Sequence, residues 1–200
     1  MATFDLDGYK IKQPNCTSIF DSKEMRSSNK LYDFETEYGQ YTLVKKNANF
    51  KKAFKSAKKM KGYLAEVSHN YENWEIYDNI INHLHAKELN KTTSQRNAGS
   101  ASYVWLGGTD EKKEGKWIWL KTKDPIYSTR WEWGAGKMGK EPDNYKGEQH
   151  HLAMGLEHWP RGVDAGEGYG SASMWNDISE KNKLFFVVEY TNPACADQQM

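Results

Sequence analysis

Two short runs, Tyr103-Val104-Trp105-Leu106-Gly107 and Lys116-Trp117-Ile118-Trp119-Leu120, decide the fold of this 200-residue chain. Both are rich in aromatic and β-branched residues, which is typical of short β-strands. Two similar runs follow, at His151-Leu152-Ala153-Met154 and at Leu184-Phe185-Phe186-Val187-Val188-Glu189-Tyr190. Long polar loops separate the runs, so the second half of the chain is predicted to be a set of strands.

The first half begins with a β-like run, Tyr41-Thr42-Leu43-Val44, and continues into a predicted helix between the cap residue Asn49 and the terminator Gly62. Apolar residues recur at the i, i+3, i+4, i+7 spacing of an amphipathic helix, at Phe50, Ala53, Phe54 and Ala57. The lysines between them are expected to face solvent.

A second helix is predicted after the short strand at residues 63–67, with Ser68 or Asn70 as its cap and Glu72 in its first turn. Its predicted buried stripe consists of Trp74, Tyr77, Ile81 and Leu84. A polar loop at residues 87–102 then leads to the strands. Two helices followed by strands indicate an α+β fold, with small antiparallel sheets and long loops.

The composition excludes several classes of protein. Charged residues make up 28% of the chain and the net charge is +1, so charge gives no reason to expect nucleic acid or an acidic membrane as partner. No apolar run approaches the roughly 20 residues of a membrane helix, and residues 1–5 lack a basic region followed by an apolar run, so neither a membrane span nor a secretion signal is expected in the sequence as given. Eight Trp, twelve Tyr and seven Phe predict a core built largely on aromatic rings.

Three segments are predicted along the chain. Residues 1–35 are polar without a sustained period and are interpreted as an N-terminal extension, residues 36–192 as the domain, and residues 193–200 as a flexible tail. The two cysteines, Cys16 and Cys195, lie near opposite ends, where one bridge and two free thiols are equally compatible with the sequence.

Oxygen-bearing side chains cluster at residues 141–148, Glu-Pro-Asp-Asn-Tyr-Lys-Gly-Glu, and again at Asn176 and Asp177. Carboxylates and amides are the ligands that Ca²⁺ takes, about six to eight oxygens at a time. Acidic loops are also common without any ion, so composition alone leaves a metal site and a solvated loop as alternatives.

Six motifs, in this order, resemble a C-type lectin domain over residues 35–191. They are Phe50 to Leu64, Glu72-Asn73, Trp105-Leu106-Gly107-Gly108, Glu114-Gly115-Lys116-Trp117-Ile118-Trp119, Glu141-Pro142-Asp143 and Trp175-Asn176-Asp177. Each motif alone is weak, but chance is a poor explanation for six in sequence. The resemblance implies the fold of that family.

The resemblance also implies a site and a mechanism. The implied Ca²⁺ ligands are Glu141, Asp143, Glu148, Asn176 and Asp177. Pro142 would follow a cis peptide bond that helps to shape the site. Two vicinal sugar hydroxyls would bind the ion while the same side chains hydrogen-bond those hydroxyls, so the domain would bind a sugar without catalysing a reaction.

The sequence departs from the family pattern in its tripeptide and in its cysteines. The family's mannose-type sites have Glu-Pro-Asn and its galactose-type sites have Gln-Pro-Asp, so Glu141 favours mannose or fucose while Asp143 removes an amide donor. The four positions of the family's disulfide cysteines hold Ala57, His150, Glu180 and Val188. Such a disulfide-poor domain is expected to be a bacterial or viral form.

An expanded loop at residues 155–173 is the third departure. It carries five glycines and the side chains Trp159, Arg161 and Tyr169, which are candidates for sugar contact together with Tyr145 and the five metal ligands. The alternative is a loop that packs its own aromatic residues. Asp164 and Glu167 leave open a second Ca²⁺ site.

The predicted function is therefore Ca²⁺-dependent carbohydrate binding. The domain would belong to a secreted lectin or to the ligand-binding part of a multidomain adhesin, outside the cell or on its surface. No nucleic acid, membrane insertion or enzymatic activity is expected. The alternative is a Ca²⁺-stabilised module that binds peptides, or a surface such as ice, on the same fold.

Overall fold

A computed structural model describes residues 25–95, 97–127, 129–130 and 132–191. Both cysteines, most of the predicted N-terminal extension and the predicted tail lie outside these residues. The helices are α1 (Phe50–Lys59), α2 (Asn70–His83) and α3 (Ala86–Leu89). The strands are β1 (Leu31–Glu35), β2 (Gln40–Ala48), β3 (Tyr63–Leu64), β4 (Tyr103–Thr109), β5 (Trp117–Trp119), β6 (Pro125–Ile126), β7 (Ala135–Gly136), β8 (Gly139–Lys140), β9 (His151–Gly155), β10 (Trp175–Ile178) and β11 (Leu184–Tyr190).

The strands of the described chain form one extended sheet and a small hairpin. The main path runs β1-β2-β11-β4-β5-β6, while β3 pairs with β11 and β9 joins β4 to β10. The pairing of β11 with β4 is parallel, and the other pairings are antiparallel. Strands β7 and β8 form the separate hairpin that leads into the acidic loop. The α+β fold is thus confirmed, with one parallel pairing that the sequence did not predict.

Helix α1 forms where the apolar spacing predicts it. The Asn49 side chain accepts a hydrogen bond from the Lys52 N–H at 3.0 Å, which satisfies one of the free donors at the helix start. Phe50, Ala53 and Ala57 are buried, and the lysines lie on the other face. The helix ends at Lys59, and Gly62 fits tightly against β11, where a Cβ would come 2.6 Å from the Glu189 carbonyl.

Helix α2 buries a face shifted from the predicted stripe. Ile76 and Ile80 are buried, whereas Trp74, which the predicted stripe included, keeps 56% of its surface exposed. Of the other predicted stripe residues, Leu84 is buried and Tyr77 and Ile81 are half-buried. The polar side chains at the start of the helix determine this orientation. Glu72 accepts a hydrogen bond from the Tyr41 hydroxyl at 2.7 Å, and Asn73 accepts one from the Trp175 indole at 2.9 Å. The cap is His69, between the two predicted candidates.

Several further elements lie where the sequence predicted none, among them β1 and α3. Strand β1 pairs with β2 along its whole length, so residues 31–35 of the predicted extension join the sheet of the domain. Helix α3 forms inside the predicted polar loop after α2. Among the described residues, no helix has the length and apolar character needed to cross a membrane.

Candidate metal and ligand site

The site lies at one end of the β9-β10 pair. Strand β10 carries Asn176 and Asp177, which pair with Ala153 and Leu152 of β9. The acidic loop that holds Glu141 runs from the β7-β8 hairpin into β9, so strand pairing brings the two acidic segments together. The Glu141 N–H donates to the Gly134 carbonyl at 2.7 Å and anchors the start of the loop.

Three carboxylates converge here. Oxygen atoms of Glu141, Asp143 and Asp177 lie within 4.8 Å of one another. Asp177 accepts from the backbone N–H groups of Asp143 and Asn144, at 3.1 and 2.8 Å, which ties the loop to β10. The bond between Glu141 and Pro142 is cis, as the resemblance implies. The structure therefore brings together three of the five predicted ligand side chains as a compact acidic group.

Glu141 and Asp177 are buried, so negative charge on their carboxyl groups is unfavourable unless a cation is bound beside them. Burial is the largest cause of the raised pKa of Glu141, and the neighbouring charges of Asp177 and Asp143 raise it further. The Trp159 indole acts in the opposite direction on that pKa. Burial also raises the pKa of Asp177. Such shifts arise where like charges are forced together away from water, and a bound divalent cation would reverse them.

A fourth predicted ligand, Asn176, presents its amide oxygen to the same region. Its Nδ2 donates to the Tyr103 hydroxyl at 3.1 Å, and that hydroxyl donates to the Ala98 carbonyl at 3.1 Å. Asn176 Oδ1 is buried without a hydrogen-bond partner, as is Glu141 Oε2. Buried polar atoms are rarely left unpaired. A set of carboxylate and amide oxygens with free lone pairs fits Ca²⁺.

Glu148, the fifth predicted ligand, lies apart from the group. Its side chain is exposed, and both of its carboxylate oxygens lie 3.3 Å from Lys181 Nζ. The structure therefore does not place it among the converging oxygens, and its role as a ligand stays a prediction.

A cavity of about 330 Å³ opens beside the carboxylates. Glu141, Asp143 and Asn176 line it. The segment of residues 95 and 97–100 and the expanded loop also contribute to the lining. Sequence analysis missed that first segment. No motif or spacing in the sequence could have found it, because a long-range contact brings it to the site.

The four predicted sugar-contact side chains outside the ligand set have different positions. Tyr145 and Tyr169 line the cavity, and Tyr145 is half exposed. Trp159 also lines it but is only 2% exposed, so its ring has no free face and the predicted stacking on a sugar is wrong. Arg161 is outside the lining, and its guanidinium donates to Glu157 at 2.7 Å. That ion pair removes Arg161 from the candidate contacts.

The two adjacent histidines lie in different environments, as strand alternation predicts. His151 is buried and stacks on Phe50, with ring centroids 3.9 Å apart. His150 points the other way and lies with Asp110 and Glu114 in a second group of metal-ligand type. Its Nδ1 is 3.0 Å from the Asp110 carboxylate. In the expanded loop, Glu167 pairs with Lys137 at 2.7 Å, and neither acidic group includes it.

Comparison with known proteins yields a partial sequence relative and several structural relatives. No family model matches the chain. Salivary C-type lectin 2 of Aedes albopictus is 29% identical over 86 residues, which is 43% of this chain and about half of that relative, 47%.

Solved structures match over a larger share of the chain. The carbohydrate-recognition domain of the mouse scavenger receptor C-type lectin superposes with a TM-score of 0.54 at 18% identity, over 80% of this chain and 94% of that one. The C-type lectin CEL-I of Cucumaria echinata gives 0.55 at 14% identity, over 80% and 95%. Human lithostathine gives 0.55 at 16% identity, over 80% and 97%. This chain therefore has the fold of the C-type lectin carbohydrate-recognition domains.

Proposed function

We propose that this chain is a Ca²⁺-dependent carbohydrate-binding module. The observation that carries the proposal is the convergence of three carboxylates beside an open cavity, which two of them line together with an unpartnered amide oxygen. The proposed ligands of the ion are Glu141, Asp143, Asn176 and Asp177, with Glu148 as the fifth. The bound ion would supply coordination sites for two vicinal hydroxyls of a sugar.

Individual side chains have different roles in the proposed site. Asp177 is braced by two backbone N–H groups, so its carboxylate is held in place rather than free to rotate. Tyr103 orients the amide of Asn176 so that its oxygen faces the cavity. Glu141 and Asp143 accept hydrogen bonds from hydroxyl protons. Binding of this kind involves no covalent step, which agrees with a module that is not an enzyme.

The structural relatives support the sugar as ligand class. Two of the similar structures are named as a carbohydrate-recognition domain and as a lectin. For the sugar itself, Glu141 favours mannose or fucose. Asp143 adds a second carboxylate where an amide would have donated a hydrogen bond, so hydroxyl groups of the sugar must donate to both sides.

The cellular context is also a proposal. Extracellular Ca²⁺ modules bind the ion with dissociation constants of about 10⁻⁴ to 10⁻³ M, which suits a secreted or surface location where Ca²⁺ is abundant. A single shallow site binds sugar weakly, so several copies in an adhesin or secreted lectin would raise avidity. Residues 17–194 contain no cysteine, which supports a disulfide-poor, bacterial or viral form of the fold.

A glycan array probed in 5 mM CaCl₂ and again in EDTA tests the proposal. We expect binding to mannose- or fucose-bearing glycans that EDTA abolishes. The variants Glu141→Gln and Asp177→Asn should lose it, whereas Glu167→Gln, an exposed carboxylate paired with Lys137, should keep it. Absence of any binding in Ca²⁺ would refute the proposal, and protein binding indifferent to EDTA would favour the peptide- or surface-binding alternative.

A further inference from the structure

Residues 95 and 97–100, the cavity segment, are joined to the acidic loop by the side chain of Gln149. This side chain is buried, and its amide N–H donates to the Asn97 carbonyl at 2.6 Å. The amide oxygen of the same side chain accepts from the Tyr145 N–H at 2.7 Å. The cavity segment and the acidic loop are therefore only one side-chain amide apart.

A second bridge joins the cavity segment to strand β10. The Tyr103 hydroxyl donates to the Ala98 carbonyl at 3.1 Å and accepts from the Asn176 amide at 3.1 Å. Asn176 is one of the proposed ligands of the ion. Two bridges of this length place the cavity segment next to the proposed metal site, so a ligand that extends beyond the ion meets this segment.

The backbone of the cavity segment is held in an uncommon conformation. Asn97 and Ser100 have φ angles of 50° and 54°, in the left-handed region that glycine adopts most readily. Such conformations persist only where the surrounding structure holds them. The carbonyls of residues 97–99 all accept hydrogen bonds, the last of them from the Arg161 N–H at 2.9 Å. The segment is thus a rigid support, which reduces the entropy lost when a ligand binds to it.

The side chains of this segment complement the acidic ones chemically. Gln95 and Ser100 are exposed and Asn97 is half-buried, and all three residues line the cavity. Amide and hydroxyl groups both donate and accept hydrogen bonds, whereas the carboxylates of Glu141 and Asp143 only accept. The segment therefore supplies donors for the acceptor oxygens of a sugar, such as its ring and glycosidic oxygens.

Charge and size narrow the class of ligand. Three carboxylates carry more negative charge than one Ca²⁺ neutralises, so the cavity disfavours an acidic sugar. The cavity volume of about 330 Å³ falls within the range of about 300–1,000 Å³ for pockets that hold drug-sized ligands. Two linked sugar residues are of that size, whereas a coordinated pair of hydroxyls occupies only the part beside the carboxylates.

We propose that the cavity segment is a second sugar subsite. It binds the sugar residue linked to the one that the ion holds, through hydrogen bonds with Gln95, Asn97 and Ser100. The ligand is then a neutral oligosaccharide of two or more residues rather than a single sugar. This inference rests on the proposed Ca²⁺-dependent carbohydrate binding and makes the three side chains determinants of specificity.

Isothermal titration calorimetry of the full chain in saturating Ca²⁺ compares one sugar residue with two. The probes are methyl α-D-mannopyranoside and the 2-, 3- and 6-linked α-mannobioses. We expect the native chain to bind one of the mannobioses about five times more tightly than the monosaccharide, or better, because one or more hydrogen bonds are added.

The variants Gln95→Ala and Ser100→Ala, alone and together, test the assignment. The double variant should bind that mannobiose about as weakly as the monosaccharide, a loss of about fivefold or more, with unchanged affinity for the monosaccharide and for Ca²⁺. Melting temperatures check that the fold is retained. Asn82→Ala removes an exposed amide outside the cavity lining and should keep the native ratio of the two sugar affinities.

The possible outcomes separate the subsite from the proposed function. If the monosaccharide binds but no mannobiose binds more tightly, or if the double variant keeps the native ratio, the subsite is wrong and the proposed function stands. An equal loss of affinity for both sugars means a merely structural role and also overturns the subsite. If the native chain binds Ca²⁺ but none of these sugars, the proposed mannose-type binding fails and the subsite fails with it.

Discussion

Replacing Glu141 by Gln should change stability in opposite directions with and without Ca²⁺. In the metal-free protein, carboxylate oxygens of three residues lie within 4.8 Å of one another. Two unit charges at that separation repel by about 3.5 kcal/mol at an effective dielectric constant of 20. Protonation of Glu141 relieves part of this, since its pKa is raised by burial and by its neighbours. We therefore expect metal-free Glu141→Gln to be about 1–2 kcal/mol more stable than the native chain at pH 8.

The direction of the pH effect follows from that pKa. A carboxyl whose pKa is higher in the folded than in the unfolded state binds more protons when folded, so native stability falls as pH rises above the unfolded value. The advantage of the variant should therefore shrink toward pH 5, because Glu141 in the unfolded chain then also begins to bind a proton.

With Ca²⁺ the order should reverse. Ion at about 100 times its dissociation constant stabilises the native chain by about 2.7 kcal/mol. In a domain of this size each kcal/mol raises the melting temperature by about 2–4 °C, so the shift is about 5–11 °C. Glu141→Gln should show little or none of it.

Differential scanning calorimetry in EDTA and in CaCl₂, at pH 8 and pH 5, gives all of these values. Glu167→Gln removes an exposed carboxylate from the same side of the domain and should keep the full Ca²⁺ shift. The reasoning is refuted if Glu141→Gln retains the native Ca²⁺ shift, or if the metal-free variant is less stable than the native chain at pH 8.

Three further predictions concern the rest of the domain. In urea titrations, Trp74→Ser should change the free energy of unfolding by less than about 0.5 kcal/mol because Trp74 is exposed, and Ile76→Ala should lower it by about 2–5 kcal/mol because Ile76 is buried. A larger effect at Trp74 than at Ile76 would contradict the observed orientation of α2. Burial lowers the pKa of His151 to about 4, while the unfolded value is about 6.5, so the unfolded chain binds more protons between these two values. Lowering the pH through this range should therefore reduce the free energy of unfolding by up to about 3 kcal/mol. His151→Phe should flatten that dependence in urea titrations at pH 7 and pH 4.5, and an unchanged slope would disprove the assignment. Gly155→Ala should cost about 1–3 kcal/mol because its Cβ would meet the Trp159 ring, and a native melting temperature in this variant would mean that the ring is loosely packed.

The sequence predicted the elements whose signals are local. Asn49 and the apolar spacing after it locate α1, because a cap and a periodic stripe act within one helix. The run at residues 184–190 matches β11 residue for residue, since a nearly continuous apolar run suits a strand buried on both faces. These signals need no knowledge of distant neighbours.

Elements that depend on distant partners were predicted less well. Two faces of α2, offset from each other by one residue along the chain, both carry large apolar side chains, so their spacing alone could not show which face is buried. The choice depends on Glu72 and Asn73, which are buried because Tyr41 and Trp175 bond them from other elements. Trp74 then faces solvent despite its size. Strand β1 was missed for a similar reason, because its five residues become a strand only by pairing with β2.

Parts of the proposed site also differ in how far the sequence could predict them. The proposed metal ligands lie in short motifs, so resemblance to a family could locate Glu141, Asp143, Asn176 and Asp177. In the structure the first three line the cavity, and Asp177 is buried next to Glu141 and Asp143. The resemblance could not show that the Glu148 side chain lies beside Lys181, apart from the other predicted ligands.

Another part of the cavity lining is the Trp159 indole, which three glycines surround. Gly134, Gly155 and Gly170 belong to three segments with no common motif, and only the fold shows that they enclose one ring. The sequence suggested Trp159 as a stacking surface, because an aromatic residue in a glycine-bearing loop is usually valued for its face. Enclosure by these glycines closes both faces of the ring, so its burial follows from long-range packing that no local spacing could have predicted.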